Sequence, residues 1–90
     1  MNVVTMKMSN GDEVVANVTN EEENYVVVDR PMLIQQITSP QGMQLVMVPW
    51  MHSATVGETL ISKHFVVSNK PTDKSWSDGY LQQTSGIALS

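Results

Sequence analysis

VVTMKMSNGDEVVANVTNEEENYVVVD, residues 3–29, carries the strongest fold signal in the chain. Apolar and polar side chains alternate on both sides of Asn10-Gly11, with the period of two that is typical of half-buried β-strands. An Asn-Gly pair between two such runs predicts a two-residue type I′ hairpin turn, which needs positive φ at both positions. The polar run 20–24 predicts a second turn, and the apolar run 25–28 predicts a third strand that is covered on both faces.

The chain beyond this meander predicts two more strands. Strand 3 is expected to continue through Pro31 to residue 37, with a bend or bulge at the proline because proline cannot donate to a β-ladder. A strand that bends can pair with different neighbours before and after the bend, which is how small barrels close. Residues 43–51 and 60–68 are predicted as strands 4 and 5.

The last part of the chain predicts a helix. Thr72 or Asp73 can cap a helix over about residues 74–83, and Trp76 and Tyr80, four apart, then lie on one of its faces. Aromatic side chains at helical spacing more often belong to a core than to a ligand cage. We therefore expect this face of the helix to pack against the sheet.

Together these elements predict one mainly β domain over residues 1–90: a small, strongly bent five-stranded barrel at about residues 3–69 and a C-terminal helical tail at about 72–85. The chain has no cysteine, which excludes disulfides, thiolate metal sites and cysteine nucleophiles. We see no signal peptide, and the longest apolar run, 45–51, is too short to span a membrane. We therefore expect a cytoplasmic protein without a membrane partner.

Charge is unevenly placed along the chain. The net charge of −4 argues against a protein that binds phosphates non-specifically, because such proteins neutralise phosphates with Lys and Arg. Residues 31–57 contain no Asp, Glu, Lys or Arg, but they hold Trp50 and four of the seven methionines. This composition is typical of the centre of a protein interface and also of a core. A 90-residue chain is too short to bury the whole stretch, which favours the interface.

The sequence contains no pattern that predicts catalysis or a cofactor. His52 and His64 are twelve residues apart, with no carboxylates spaced to complete a metal site. The run Glu21-Glu22-Glu23 lacks the alternating ligands and the glycine of a calcium loop. No nucleophile elbow, phosphate loop or dinucleotide fingerprint is present. We expect no enzyme activity, no metal and no cofactor.

The first third of the chain resembles a known family. Residues 6–18, MKMSNGDEVVANV, are similar to the opening of the first Sm motif, with Ala16 where the family usually has Gly. Glu22 or Glu23 falls where the family often has Asp. The combination of Val48-Pro49-Trp50-Met51 with a C-terminal helix looks most like the divergent Sm-like proteins of marine phages, in particular cyanophages.

This resemblance implies a strongly bent five-strand barrel that assembles into a homo-oligomeric ring of roughly five to seven subunits. In the family, strand 4 of one subunit pairs with strand 5 of the next, which is an edge-strand addition. The charge-free stretch ends in strand 4, where such an interface has to lie. The candidate interface residues are the apolar ones of these two strands: Leu45, Met47, Val48, Trp50, Phe65 and Val67.

The resemblance also implies a single-stranded RNA site at the pore, built from two loops. In the loop between strands 2 and 3, Tyr25 falls at the stacking position, but Val26 replaces the Asn that reads the base. Because valine can neither donate nor accept a hydrogen bond, uracil readout through that side chain is expected to be absent.

The second loop has two possible placements. Trp50-Met51-His52 resembles the Tyr-Lys-His of bacterial Hfq, with Met in place of the lysine, while Ile61-Ser62-Lys63-His64 keeps Lys-His and loses the aromatic residue. We favour the first placement because His64 falls inside a strand pattern, whereas His52 opens a loop. Trp50 could equally be buried at the subunit interface.

Two functional hypotheses follow from the resemblance. The first is a ring that binds single-stranded RNA as a chaperone or regulator, in the host cytoplasm if the protein is phage-encoded. The second is a ring that serves as a structural or protein-interaction module and has lost the RNA site. The acidic composition favours the second, and the common use of the fold favours the first. The candidate RNA-binding residues are Tyr25, Trp50, His52, Lys63 and His64.

Overall fold

A computed structural model of the protein describes residues 1–85. It contains six β-strands, one 3-10 turn and one helix. In chain order these are β1 (Val3–Met8), β2 (Glu13–Glu21), β3 (Tyr25–Ser39), β4 (Gly42–Pro49), β5 (Glu58–Ser62), the 3-10 turn (Lys63–Phe65), β6 (Val66–Pro71) and α1 (Lys74–Ser85).

The strands form one antiparallel, strongly bent sheet in the order β4-β3-β2-β1-β6, with β5 attached to β3. The mainly β fold with a C-terminal helix is as predicted. The sheet has six strands rather than five, however, and it does not close into a barrel. The missing closure leaves β4 and β6 at the two ends of the sheet.

The predicted bend at Pro31 is confirmed. Residues 25–29 of β3 pair with β5, whereas residues 32–39 pair with β4. Between these halves the pairing with β2 shifts register, and Arg30 takes a φ of 48°. A bulge of this kind bends a strand and increases its twist, so that its two halves meet different neighbours.

The prediction of a continuous strand over residues 60–68 is wrong. The 3-10 turn Lys63–Phe65 separates β5 from β6, and the Ser62 hydroxyl accepts a hydrogen bond from the His64 N–H at 3.2 Å. At the break, this local side-chain-to-backbone bond replaces the ladder.

The turn after β1 is in the predicted place, but it is not type I′. The Gly11 N–H donates to the Met8 carbonyl at 2.9 Å, which makes Ser9 and Asn10 the central residues. Gly11 has a φ of 96°, whereas the φ of Asn10 is not positive. The Asn10 side-chain oxygen accepts from the Asp12 N–H at 3.0 Å. The glycine takes the left-handed position that follows the turn, and the Asn side chain stabilises the loop locally.

Apolar side chains pack on both faces of the sheet. The larger cluster lies inside the bend and contains Val4, Met6, Met8, Val14, Ala16, Val26, Val28 and Ile61. The smaller cluster lies on the opposite face, under α1, and contains Val15, Met32 and Tyr80. The strand that is covered on both faces is thus β2, and not residues 25–28, which bury alternate side chains only.

Helix α1 begins after Asp73, whose carboxylate accepts from the Ser75 N–H at 3.2 Å, as expected of an N-terminal cap. Tyr80 is fully buried against the sheet, as predicted, while Trp76 is half-buried. The Tyr80 hydroxyl donates to the Asp29 carbonyl at 2.7 Å and accepts from the Asn17 N–H at 3.2 Å. It therefore bridges β2 and β3 beside the bulge.

Candidate nucleic-acid interface

Three of the five candidate RNA-binding residues lie at adjoining turns. Tyr25 opens β3 and is paired in register with Ser62, the last residue of β5. The Lys63 N–H donates to the Asn24 carbonyl at 2.9 Å, which joins the 3-10 turn to the turn between β2 and β3. Tyr25, Lys63 and His64 are thereby brought to one end of the molecule.

The side chains at these turns differ in what they can offer a ligand. His64 is exposed and meets the exposed Phe65 edge-to-face, with ring centroids 5.1 Å apart. Tyr25 is half-buried. Base stacking on exposed rings is tolerant of sequence, so these rings could bind unpaired bases without reading them.

Lys63 is the cation of this group, and its ammonium lies 3.0 Å from Glu21 Oε2. An exposed pair of this kind is weak and screened by salt, so a phosphate can compete for the lysine. Glu22 and Glu23 lie in the turn between β2 and β3, next to Glu21, and their side chains are exposed. The local potential is therefore not strongly positive.

Trp50 and His52 lie elsewhere. The Trp50 N–H donates to the Pro31 carbonyl at 3.0 Å, and the indole N–H donates to Asp12 Oδ2 at 3.1 Å. Pro31 is six residues beyond Tyr25 on β3, about 20 Å along an extended strand. His52 is exposed in the segment 50–57 between β4 and β5.

These positions remove the reason for favouring the first loop placement. His64 does not lie inside a strand; it lies in the 3-10 turn, beside Tyr25. Trp50 is half-buried against the larger core cluster, and its indole is bound to Asp12 in the β1–β2 turn, whose Ser9 N–H donates to the Phe65 carbonyl at 2.8 Å. Which histidine meets RNA stays a prediction, but the Lys63-His64 placement is hydrogen-bonded to the other loop through the Asn24 carbonyl.

Sequence reasoning missed what joins the two turns. The contact is made by the backbone carbonyl of Asn24, and such a group has no signature in a sequence. One signal was present, because a Ser two residues before His64 can accept a backbone hydrogen bond and start a turn. The competing strand pattern concealed it.

The six candidate interface residues are divided between core and surface. Met47 packs into the smaller cluster under α1, Trp50 packs against the larger cluster, and Val48 is half-buried. Leu45, Phe65 and Val67 are more than half exposed, the last at 70%. The exposed ones lie on β4, on β6 or in the 3-10 turn that leads into β6.

The outer edges of β4 and β6 have no strand partner within residues 1–85. An apolar edge without a partner is a template for pairing with another chain. No group of three or more His, Asp or Glu among the described residues could hold a metal ion. In the same residues, no helix is long and apolar enough to cross a membrane.

The bent antiparallel sheet, the β3 strand shared between two neighbours and the C-terminal helix define a small, mainly β domain. A family model described as the Sm_like domain matches residues 5–81, and the chain belongs to the Sm-like family. The match extends from β1 into α1, well beyond the first motif. A search of curated proteins found no match to this chain.

Proposed function

We propose that this protein is a ring-forming Sm-like protein that binds single-stranded RNA at the turns containing Tyr25, Lys63 and His64. The observation that carries the proposal is the hydrogen bond from the Lys63 N–H to the Asn24 carbonyl. It brings a phenol, an ammonium and an imidazole to one end of each subunit. Membership of a family that often forms rings and binds RNA supports the same conclusion.

The ring is proposed to form between the two open edges. The family pairs strand 4 of one subunit with strand 5 of the next, and here the latter strand corresponds to β6. Leu45 on β4 and Val67 on β6 are exposed apolar side chains that this pairing would cover. Roughly five to seven copies would repeat the RNA site around a pore, so that weak sites act together.

We expect binding through stacking rather than through charge. Each subunit carries a net charge of −4, and Lys63 shares its ammonium with Glu21. Val26 is apolar and buried, and it replaces the residue that reads the base in the family. Affinity should therefore be moderate, tolerant of sequence and only mildly dependent on salt.

The proposed setting follows from the resemblance to Sm-like proteins of marine phages. A phage-encoded protein would act in the host cytoplasm, as an RNA chaperone or regulator. The second candidate function is a ring used as a structural or protein-interaction module. It is favoured by one observation: the exposed carboxylates of Glu22 and Glu23 lie in the same turn as the proposed RNA site and would repel phosphate.

The test is fluorescence anisotropy of labelled oligouridine and oligoadenine, at low and at physiological salt. We expect micromolar binding of both strands. His64→Ala should weaken it roughly tenfold, because stacking on a ring contributes about 1–3 kcal/mol per base. His52→Ala is the matched control, since it removes the chain's other imidazole from an exposed loop position.

The outcomes separate the alternatives. Equal binding by wild type and His64→Ala, with loss in His52→Ala and Trp50→Ala, would move the site to the segment 50–57. No binding by the wild-type protein at low salt would reject RNA binding and favour the structural or protein-interaction ring. Lys63→Gln should lower the affinity for both labelled strands and slightly reduce its salt dependence, because one phosphate contact is lost.

A further inference from the structure

A cavity of about 340 Å³ lies between the bend of β3, the segment 50–57 and the end of α1. We propose that it binds a small amphipathic monoanion, a molecule with an apolar body and one carboxylate. The proposal concerns a different part of the molecule from the RNA site and does not depend on that site or on ring formation.

Arg30 is the residue that points to an anion. Among the described residues that line the cavity, Arg30 alone carries a fixed charge. Its Nη1 donates to the Thr84 carbonyl, but its Nε is buried and has no hydrogen-bond partner in residues 1–85. The nearest carboxylate oxygen of Asp29 is 3.9 Å from Nε, too far for a hydrogen bond. The Arg30 side chain as a whole is 39% exposed, so it is the open part of its guanidinium, and not the covered Nε, that could meet a ligand carboxylate in the cavity.

The backbone at this position is also unusual. Arg30 is the only non-glycine residue in the described part of the chain with positive φ. Such a conformation is costly for an arginine, and it persists where the surroundings impose it, often at binding sites. Here the bulge between β2 and β3 imposes it, and it turns the guanidinium towards the end of α1 and the cavity.

The walls of the cavity favour an apolar body. They include the side chains of Pro31, Pro49, Met51 and Val56. The volume is at the lower end of the range for small-molecule sites, so the ligand must be small. The lining also contains polar side chains such as Thr59 and Gln83, but a nucleotide phosphate carries about two negative charges against the one guanidinium there. The cavity is lined by one cation, and the chain has a net charge of −4. The cavity therefore suits a ligand with one negative group better than a polyanion.

The chain carries its own reporter for this site. His52 lines the cavity, and His64, the only other histidine, lies in the 3-10 turn. The two imidazole signals can be separated in a proton NMR spectrum and assigned with His64→Gln. Octanoate is the probe, octanamide is its uncharged counterpart, and uridine monophosphate is an anion with a polar body.

We expect octanoate to shift the His52 signal saturably and to leave the His64 signal in place. Octanamide and Arg30→Gln should each weaken binding about tenfold or more, because the charge-assisted hydrogen bond is lost. Arg30→Lys keeps the charge and should retain most of the affinity. Uridine monophosphate should not shift His52.

The proposal is overturned if octanoate gives no saturable shift of His52 at millimolar concentration. It is also overturned if octanamide binds as tightly as octanoate, or if uridine monophosphate binds more tightly than either. The comparison of octanoate with octanamide uses the wild-type protein, and it therefore tests the role of the negative charge even if Arg30→Gln fails to fold. Where Arg30→Gln does fold, unchanged affinity for octanoate also overturns the proposal.

Discussion

The helix-covered face of the sheet and its two open edges are built from the same kinds of residue, but they differ in what covers them. Under α1, Val15 and Tyr80 are each 1% exposed. On the edges, Leu45 is 52% exposed and Val67 is 70% exposed. Alternation of apolar and polar side chains makes a strand amphipathic in both regions. The two regions differ because helix α1 of the same chain covers one face of the sheet, whereas no strand within residues 1–85 covers the outer edges of β4 and β6.

This contrast distinguishes the residues that we expect to stabilise the folded subunit from those that we expect to take part in assembly. The covered face holds a helix, a buried tyrosine and a bridge across the β2–β3 bulge, all contributed by one chain. The edges present backbone groups and apolar side chains that a second copy can pair with and cover. Substitutions on the covered face should therefore act on stability, and substitutions on the edges should act on assembly.

The largest effect is expected from Tyr80→Ala. Removing a buried aromatic ring from a core costs about 3–5 kcal/mol, a large share of the stability of a small domain. The measurement is urea unfolding followed by circular dichroism at one fixed protein concentration, because the proposed assembly would also add stability. Gln82→Ala is the control on the same helix: its side chain is exposed, and we expect a change within about 0.5 kcal/mol. Similar changes for both variants would mean that α1 does not stabilise the sheet.

The next effect is expected from Val67→Lys, on the open edge of β6. A charge there should oppose pairing with another strand, as charged residues do on natural edge strands. We expect the sedimentation mass to fall from a multiple of 10.0 kDa to a single subunit, while the unfolding curve of the subunit changes little. Val56→Lys is the matched control, since Val56 is slightly more exposed than Val67, at 77% against 70%, but lies off the strands. A wild-type mass near 10.0 kDa would contradict the ring itself.

The smallest effect is expected from Tyr80→Phe, which keeps the ring and removes the bridge. The Asn17 N–H then loses its acceptor and the Asp29 carbonyl loses its donor, which should cost about 1–3 kcal/mol at neutral pH. Burial raises the pKa of the Tyr80 phenol above its ordinary value of 10.0, and the Asp29 charge raises it further, against the lowering effect of the Asn17 hydrogen bond.

Because the native state holds this proton more tightly than the unfolded state, the contribution of Tyr80 is complete below the unfolded pKa near 10. It is lost as pH rises through the higher folded pKa. The difference in unfolding free energy between wild type and Tyr80→Phe should therefore narrow above pH 10. Tyr25→Phe serves as the comparison and should retain the alkaline decline seen in the wild type. A constant difference across that range would show that Tyr80 does not carry the effect.

The local features of the fold were predictable where short-range chemistry decides them. The β1–β2 hairpin, the bend at Pro31 and a capped helix with Tyr80 on its buried face follow from turn residues, a missing donor and helical spacing. The turn type at Asn10-Gly11 was not predictable in this way, because the Asn10 side chain bonds to Asp12 and a different turn results. The break at Lys63–Phe65 was not predicted, because the β-branched residues on both sides of it favour a strand.

The candidate site depended on contacts between distant parts of the chain. Tyr25 and His64 were each singled out from the sequence by resemblance. They lie near each other because β3 pairs with β5 in this register and because the Asn24 carbonyl accepts a hydrogen bond from the 3-10 turn. Trp50 was assigned to the same site, and it lies at the other end of the first half of β3 because its backbone is tied to Pro31. The cavity at Arg30 has no counterpart in the sequence analysis, because its walls come from three separate segments.

The mainly β class, the place of the bend, the helix and the family could all be predicted from the amino-acid sequence, since these depend on side-chain period, local turn chemistry and a recognisable motif. Three features depend on the three-dimensional arrangement of residues 1–85: which loops meet, which apolar strands are covered, and the place of Arg30 beside the cavity. Those features arise from register and packing between residues far apart in the chain, and a one-residue change in register would alter all of them.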